Sequence, residues 1–203
     1  GSESPYPKND AWMNDPSCRD LSSEQAAYGT RTMMRWAAAG ITRDQLRSVG
    51  ARIELRDGVR ELFDAIPNRT IVSFGVEDLI ESCLDANRLT ATVVANRLFY
   101  GEDGRVRSHH PHVVVNATKR LIAHRLLERG NVPPEHVLCV GDSIGDIEMA
   151  PPFGLNVLLL PRDALEGQIG KWRDGQLPQL WEKVRAVVVS NSLLPVWELV
   201  RRY

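Results

Sequence analysis

The chain has 203 residues, 43% of them apolar and 25% charged, with a formal net charge of −1. That length suits one domain with a sizeable core and a small insert. The near-neutral charge excludes a generally basic nucleic-acid binder and a polybasic membrane-surface protein. No stretch approaches the ~20 apolar residues of a membrane span, and no secretory signal is expected.

Cys18, Cys83 and Cys139 make an odd count without C-x-x-C spacing. This argues against a disulfide framework or structural zinc, and for an intracellular, reducing compartment such as cytosol or an organelle matrix. Residues 1–21, with Pro5, Pro7 and Pro16, read as an irregular segment. A small helical, cap-like region is expected over 22–56. Ser22 or Ser23 would cap a helix through Met33, Met34 and Trp36 that stops at Gly40. Thr42 to Gln45 has capping-box spacing for a second helix. Asp57 would cap a third, Val59 to Ala65, ending before Pro67.

An α/β core is expected over 57–203. Short runs rich in Val, Ile and Leu recur at Thr70–Phe74, Thr92–Ala95, Val113–Val115, Val137–Val140, Asn156–Leu160 and Ala186–Val189, as strands buried on both faces should. Helical stretches separate several of them: Glu77–Leu84, Ala117–Arg129 and Leu193–Arg202. The alternation predicts a three-layer, Rossmann-like parallel sheet with helices on both faces. Asp103-Gly104 between two short alternating arms predicts a β-hairpin over 97–108.

The chemistry is concentrated in Val137-Leu-Cys-Val-Gly-Asp-Ser-Ile-Gly-Asp-Ile-Glu-Met-Ala150. A buried strand ends at Gly141, Asp142 stands at its tip, and Asp146 follows where the next helix begins. Two carboxylates converging at the carboxyl edge of a parallel sheet suit a hard cation such as Mg²⁺; the competing reading is that both only cap the helix. A second element is Thr70-Ile-Val-Ser-Phe-Gly-Val-Glu-Asp78. Ser73 at a strand tip and Gly75 opening a helix would form a phosphate cradle, against the plainer reading of Ser73 as a turn residue. The same strand-tip arrangement repeats at Gly141-Asp142-Ser143.

Together these residues resemble the haloacid dehalogenase superfamily of phosphotransferases. Gly-Asp-Ser-Ile-Gly-Asp-Ile-Glu-Met-Ala is similar to its fourth motif, and Ser73 to the phosphate ligand of its second. The resemblance narrows to the pyrimidine 5′-nucleotidase-like branch. Arg31 to Asp57 resembles that branch's linker, Ser73-Phe-Gly-Val-Glu-Asp78 its Ser-Ala-Gly-x-x-Asp, and Gly101-Glu-Asp-Gly104 its hairpin turn. This implies an Mg²⁺-dependent phosphomonoesterase acting on a phosphorylated small molecule. Asp142 and Asp146 would be metal ligands, with Ser73, Gly75 and Lys119 on phosphate and Ser143 and Asn116 in support. The branch has an Asn-Lys pair after its His, whereas here Asn116 and Lys119 are separated by two residues. Lys119 is therefore either a phosphate ligand or a solvated lysine. His109-His110-Pro-His112 lacks a Cys or carboxylate at ligand spacing and reads as a polar hairpin end.

The family's first motif, Asp-x-Asp-x-Thr/Val at the end of a central strand, supplies the nucleophile and the general acid/base. The acidic pair Asp10-Ala-Trp-Met-Asn-Asp15 has the wrong spacing and no apolar strand before it. The expectation is an inactive phosphatase-like module that binds a phosphorylated ligand or a protein and holds Mg²⁺ weakly or not at all. The alternative is an active enzyme whose nucleophile strand comes from another chain or segment. Because Val137–Val140 is apolar and not blunted as an edge, it is expected to have strand neighbours on both sides, with a partner chain or a segment outside residues 1–203 as one source of them. Nothing points to a nucleic-acid or membrane partner.

Overall fold

The first helix, α1 (Glu24–Ala38), buries Ala26, Gly29 and Met33 on one face, the three-and-four spacing of an amphipathic helix. It stops where expected. Gly40 takes φ +67°, and the N–H groups of Gly40 and Ile41 return to Ala37 and Trp36 carbonyls, closing the helix end on a residue without a Cβ penalty. The computed structural model describes residues 24–166 and 181–202. The irregular stretch expected over 1–21, the Ser22 or Ser23 cap, Asp10, Asp15 and Cys18 lie outside the described residues.

Two compact units divide the chain. One runs to Glu54 and resumes over Asn68–Thr118; the other is Leu55–Pro67 with the chain from Lys119 onward. In the first unit, α2 (Arg43–Gly50) starts with the expected capping box: Thr42 Oγ1 accepts the Gln45 N–H, and Gln45 Oε1 accepts the Thr42 N–H. β1 (Thr70–Val76) pairs in parallel with β2 (Thr92–Asn96), with α4 (Glu77–Asn87) as the crossover. β3 (Leu98–Tyr100) and β4 (Val106–His109) form the antiparallel hairpin, turning through Gly104 at φ +72°. A core of Ala26, Met33, Leu46, Val76, Leu98, Val106, Val113 and Val115 fills this unit.

Two expectations are corrected here. Val113–Val115 is buried but joins no strand pair. Its backbone is satisfied by side chains instead: the Val114 N–H donates to Asn96 Oδ1 at 2.8 Å and the Val115 N–H to Thr118 Oγ1 at 2.9 Å, so burial does not require a ladder partner. Nor does the helix after Ser73 open at Gly75. The register jumps from Val72↔Val94 to Val76↔Asn96, so 73–75 form an outward bulge and α4 begins only at Glu77.

In the second unit, α5 (Asn116–Gly130) begins one turn before the boundary and continues through it. β5 (Leu138–Gly141), β6 (Leu155–Leu160) and β7 (Ala186–Val189) pair in parallel in that order. α6 (Ile144–Met149) follows β5, and α3 (Val59–Ala65) packs with α7 (Leu194–Val200). Leu62, Val157, Leu159, Val188 and Val196 form its core. Asp57 does not cap α3. Gly58, at φ +84°, takes the cap position without a side-chain bond. The Asp57 carbonyl instead accepts the Leu193 N–H at 2.7 Å and the Ser192 hydroxyl at 3.1 Å, which fixes the entry to α7.

Among the described residues β5 pairs with β6 alone, so the second neighbour expected for it is not among them. Four residues long, β5 fits the short strands that sheets place at edges. The chain is thus mixed α/β with parallel pairing, as its alternating pattern predicts. Among the described residues no helix is long and apolar enough to cross a membrane.

Candidate functional site

The turn from β5 into α6 is built around Gly141. A Cβ there would run into the Asp146 side chain, so glycine is what lets Asp146 fold back over the strand end. Ser143 is the N-cap of α6 and Asp146 its third residue, and the two form a reciprocal capping box. Asp146 Oδ2 accepts the Ser143 hydroxyl at 2.6 Å and the Ser143 N–H at 3.1 Å. Asp146 Oδ1 accepts Lys119 Nζ, from the first turn of α5, at 2.7 Å. Lys119 is 7% exposed and Asp146 8%, so this lysine is not a solvated one.

The two carboxylates therefore differ. Asp142 is exposed at the strand tip and has no partner among the described residues, whereas both oxygens of Asp146 are engaged. Among the described residues no three His, Cys, Asp or Glu side chains gather where they would share a metal ion. Mg²⁺ needs six oxygens in near-octahedral array. Mg²⁺ keeps several waters and takes one or two carboxylates from a protein; Asp142 is free to be one, while Asp146 is held by Lys119 and Ser143.

Cys139, on β5 beneath this turn, directs its thiol to the Asp146 carbonyl at 3.6 Å. Burial, with the Asp146 charge adding, pushes that thiol up to about 12, which makes it a packing residue rather than a nucleophile. In the unfolded chain a thiol ionises near 8.5. Above that pH the folded state holds the extra proton, so stability falls as pH rises. The loss is absent below about pH 8 and approaches about 1.4 kcal/mol per pH unit towards pH 11. Cys139→Ala should flatten the alkaline limb of a urea-stability profile; a limb of unchanged slope would contradict this.

In the first unit, Ser73 lies in the β1 bulge, where its Oγ accepts the Gly75 N–H at 3.0 Å. The hydroxyl and amide expected to cradle phosphate are thus close together, bonded for now to each other. Asn96 anchors the bulge, donating to the Phe74 carbonyl at 2.6 Å. Asp78, buried at the start of α4, accepts Arg43 Nε at 2.7 Å and the Tyr100 hydroxyl. Burial and that hydrogen bond raise the Tyr100 pKa, so Tyr100 stays a donor. Arg97 grips Glu77 through two bonds, at 2.9 and 3.1 Å. These pairs tie α2, α4 and the hairpin arm together. Asp78 belongs to the Ser73 motif read from the sequence, whereas Arg43, Tyr100 and Asn96 carry no local signal that marks them. Asn116, the first residue of α5, donates its N–H to Gln25 Oε1 at 3.1 Å. His110 and His112 contact each other edge-on with centroids 5.2 Å apart, and His112 is buried.

Comparison with known proteins agrees with this architecture. Among solved structures, phosphoserine phosphatase in apo form is 18% identical with a TM-score of 0.55, covering 86% of this chain and 82% of its own. A phospho-aspartyl intermediate analogue of phosphoserine phosphatase gives 18%, 0.56, 90% and 83%. The HAD family hydrolase t0658 from Salmonella enterica subsp. enterica serovar Typhi gives 17%, 0.60, 87% and 56%. At such identities the likeness concerns the fold. No curated protein matches the chain. The family model for pyrimidine 5′-nucleotidase (UMPH-1) matches residues 30–157. That range is more than half of the chain and takes in Ser73, Lys119, Asp142 and Asp146; the chain belongs to the pyrimidine 5′-nucleotidase (UMPH-1) family.

Proposed function

We propose that these 203 residues form a phosphate-binding domain of this family that does not itself transfer the phosphoryl group. The observation that carries the reading is an asymmetry. The ammonium of Lys119 is held in place by Asp146 at 2.7 Å, yet no Asp-x-Asp occurs anywhere in the sequence. Covalent phosphoryl transfer by the family's route needs a carboxylate nucleophile and a second carboxyl as acid/base. Here the residues that position are present and those that attack are not.

In this reading Ser73 and Gly75 offer a hydroxyl and an amide to phosphate oxygens. Asp146 is a positioning residue that keeps Lys119 extended. Ser143 fixes Asp146 in turn, and Asn116 sits a turn before Lys119 on α5. Mg²⁺, with Asp142 as the free carboxylate among the site residues, is bound weakly or not at all. A second reading, an active phosphomonoesterase completed by a strand from elsewhere, is favoured by one feature: β5 has a single ladder neighbour among the described residues, and a free strand edge is a template for another strand.

Titration of the chain with orthophosphate, followed by backbone-amide NMR, tests the first reading. Saturable shifts at Ser73 and Gly75 are expected, with affinity weakened about tenfold in Ser73→Ala, the scale of one hydrogen bond to a charged group. Absence of binding by the unmodified chain would contradict it.

A further inference from the structure

Four of the thirteen large apolar side chains exposed among the described residues fall within 181–194: Trp181 at 52%, Val187 at 43%, Val189 at 41% and Leu194 at 38%. They centre on β7. Along that strand Val188 is buried with Leu62 and Val196, while Val187 and Val189 stand beside Leu158 and Leu160 of β6 on the opposite face. Leu158 and Leu160 cluster there with Ile147, and Leu165 and Val184 pack against them. That cover stops one strand short. The two valines are left to water, without the burial that β-branched side chains gain on a sheet.

The edge of β7 is open as well. Among the described residues β7 pairs with β6 alone. Sheets blunt such an edge with a lysine, a proline or a bulge. Ala186–Val189 has none of these, and its register with β6 runs unbroken from Val157↔Ala186 to Leu160↔Val189. β5, at the other side of the sheet, exposes no large apolar side chain. An uncharged edge with two bare valines is a template for one more strand.

The flanking residues favour a second copy of that same strand. In antiparallel pairing about a two-fold axis at Val188, Val188 faces its own copy, Val187 faces Val189, Ala186 faces Ser190 and Arg185 faces Asn191. Residues directly opposite share a face, so two Val187–Val189 pairs form where each chain leaves its valines bare. Arg185 is the only charged residue between Lys183 and Glu198. It meets a neutral carboxamide, so no like charges oppose. Beyond the strand, the alignment carries the Trp181 end of one copy towards the Leu194 end of the other, which brings the remaining two exposed side chains to the same border.

We propose that the β7 edge is a homodimer interface at which two copies of this chain pair β7 with β7, antiparallel, into one continuous sheet. The ladder supplies backbone hydrogen bonds and the paired valines supply burial. Because the strands are short, the interface is small, and the dimer forms reversibly and rises with concentration. None of this draws on the phosphate reading, so either can fail without the other.

Sedimentation velocity of the full chain over a concentration series, with amide hydrogen exchange at its two ends, tests the proposal. A monomer–dimer equilibrium is expected, with β7 amides exchanging more slowly as dimer accumulates. Val187→Lys should weaken association about tenfold, since the two-fold axis removes two cross-strand pairs at once and puts a charge from each chain on the ladder. Val187→Thr, which keeps a β-branched side chain, should stay within about threefold of the unmodified chain. Val187 is exposed, so both variants are expected to fold, and amide NMR spectra check this. A monomer at every concentration would overturn the proposal, whether another segment of the chain or a different protein covers the edge. A dimer whose β7 amides exchange as fast as the monomer's, or whose affinity Val187→Lys leaves unchanged, would overturn it too.

Discussion

Lys119→Met is expected to lower the unfolding free energy by about 3–5 kcal/mol, because removing one partner of a buried pair leaves the other charge uncompensated. Asp146 Oδ1 depends on Lys119 Nζ at 2.7 Å, and both residues are almost wholly buried. Ser143 would still satisfy Oδ2 through its N–H and hydroxyl, which holds the carboxylate in place rather than letting it swing to water. Methionine keeps the unbranched length of the lysine stem, so the cost reports charge and not a cavity. Asp146→Asn removes the charge from the other side and keeps an acceptor. The double variant should therefore lose clearly less than the two single losses added, a coupling of about 0.5–3 kcal/mol. Urea denaturation of the four proteins reads it directly. A single-variant loss under about 1 kcal/mol, typical of an exposed ion pair, would show that the pair is solvated in solution.

The same pair marks the boundary of what a sequence discloses. The β5–α6 turn was legible because what it needs is local, an apolar run, a glycine and an acidic residue opening the next helix, although the structure makes Ser143 and not Asp142 the cap. The α2 cap and the hairpin turn were legible on the same ground. Lys119 was not, because its partner lies 27 residues away. Helix-face spacing alone cannot separate a lysine that reaches inward from one that reaches out. Val113–Val115 shows the converse failure. Three buried valines carry a strand's composition, but Asn96 and Thr118 supply the hydrogen bonds that a ladder would have supplied. A polar side chain that substitutes for a strand leaves no periodic trace. Likewise Asp57 has the right chemistry for a cap, yet the left-handed Gly58 and the docking of the Leu193 N–H decide the position.

Phe74 is the instructive case within the candidate site. In the Ser73-Phe-Gly motif it stands as a departure from alanine, and nothing local says what the departure does. Only the fold sets it against α1 and beside Tyr28. The network around Asp78 has the same origin, since Arg43, Asp78 and Tyr100 come from three separate elements.

Turnover of phosphate monoesters tests the central claim most directly. The 203-residue chain, incubated with p-nitrophenyl phosphate or a pyrimidine nucleoside monophosphate with and without Mg²⁺, should release phosphate no faster than a protein-free blank. The reason is chemical. Removing a nucleophile together with its acid/base partner costs on the order of 10⁴–10⁶ in rate in enzymes that act through a covalent intermediate, and residues that only position substrate do not restore it. The Lys119 ammonium, the Ser73 hydroxyl and the Gly75 amide include no attacking oxygen activated by a neighbouring base. A rate at the blank in both conditions, from protein shown to be folded, is the predicted result. Mg²⁺-dependent turnover well above the blank, abolished in Asp142→Asn, would contradict the account.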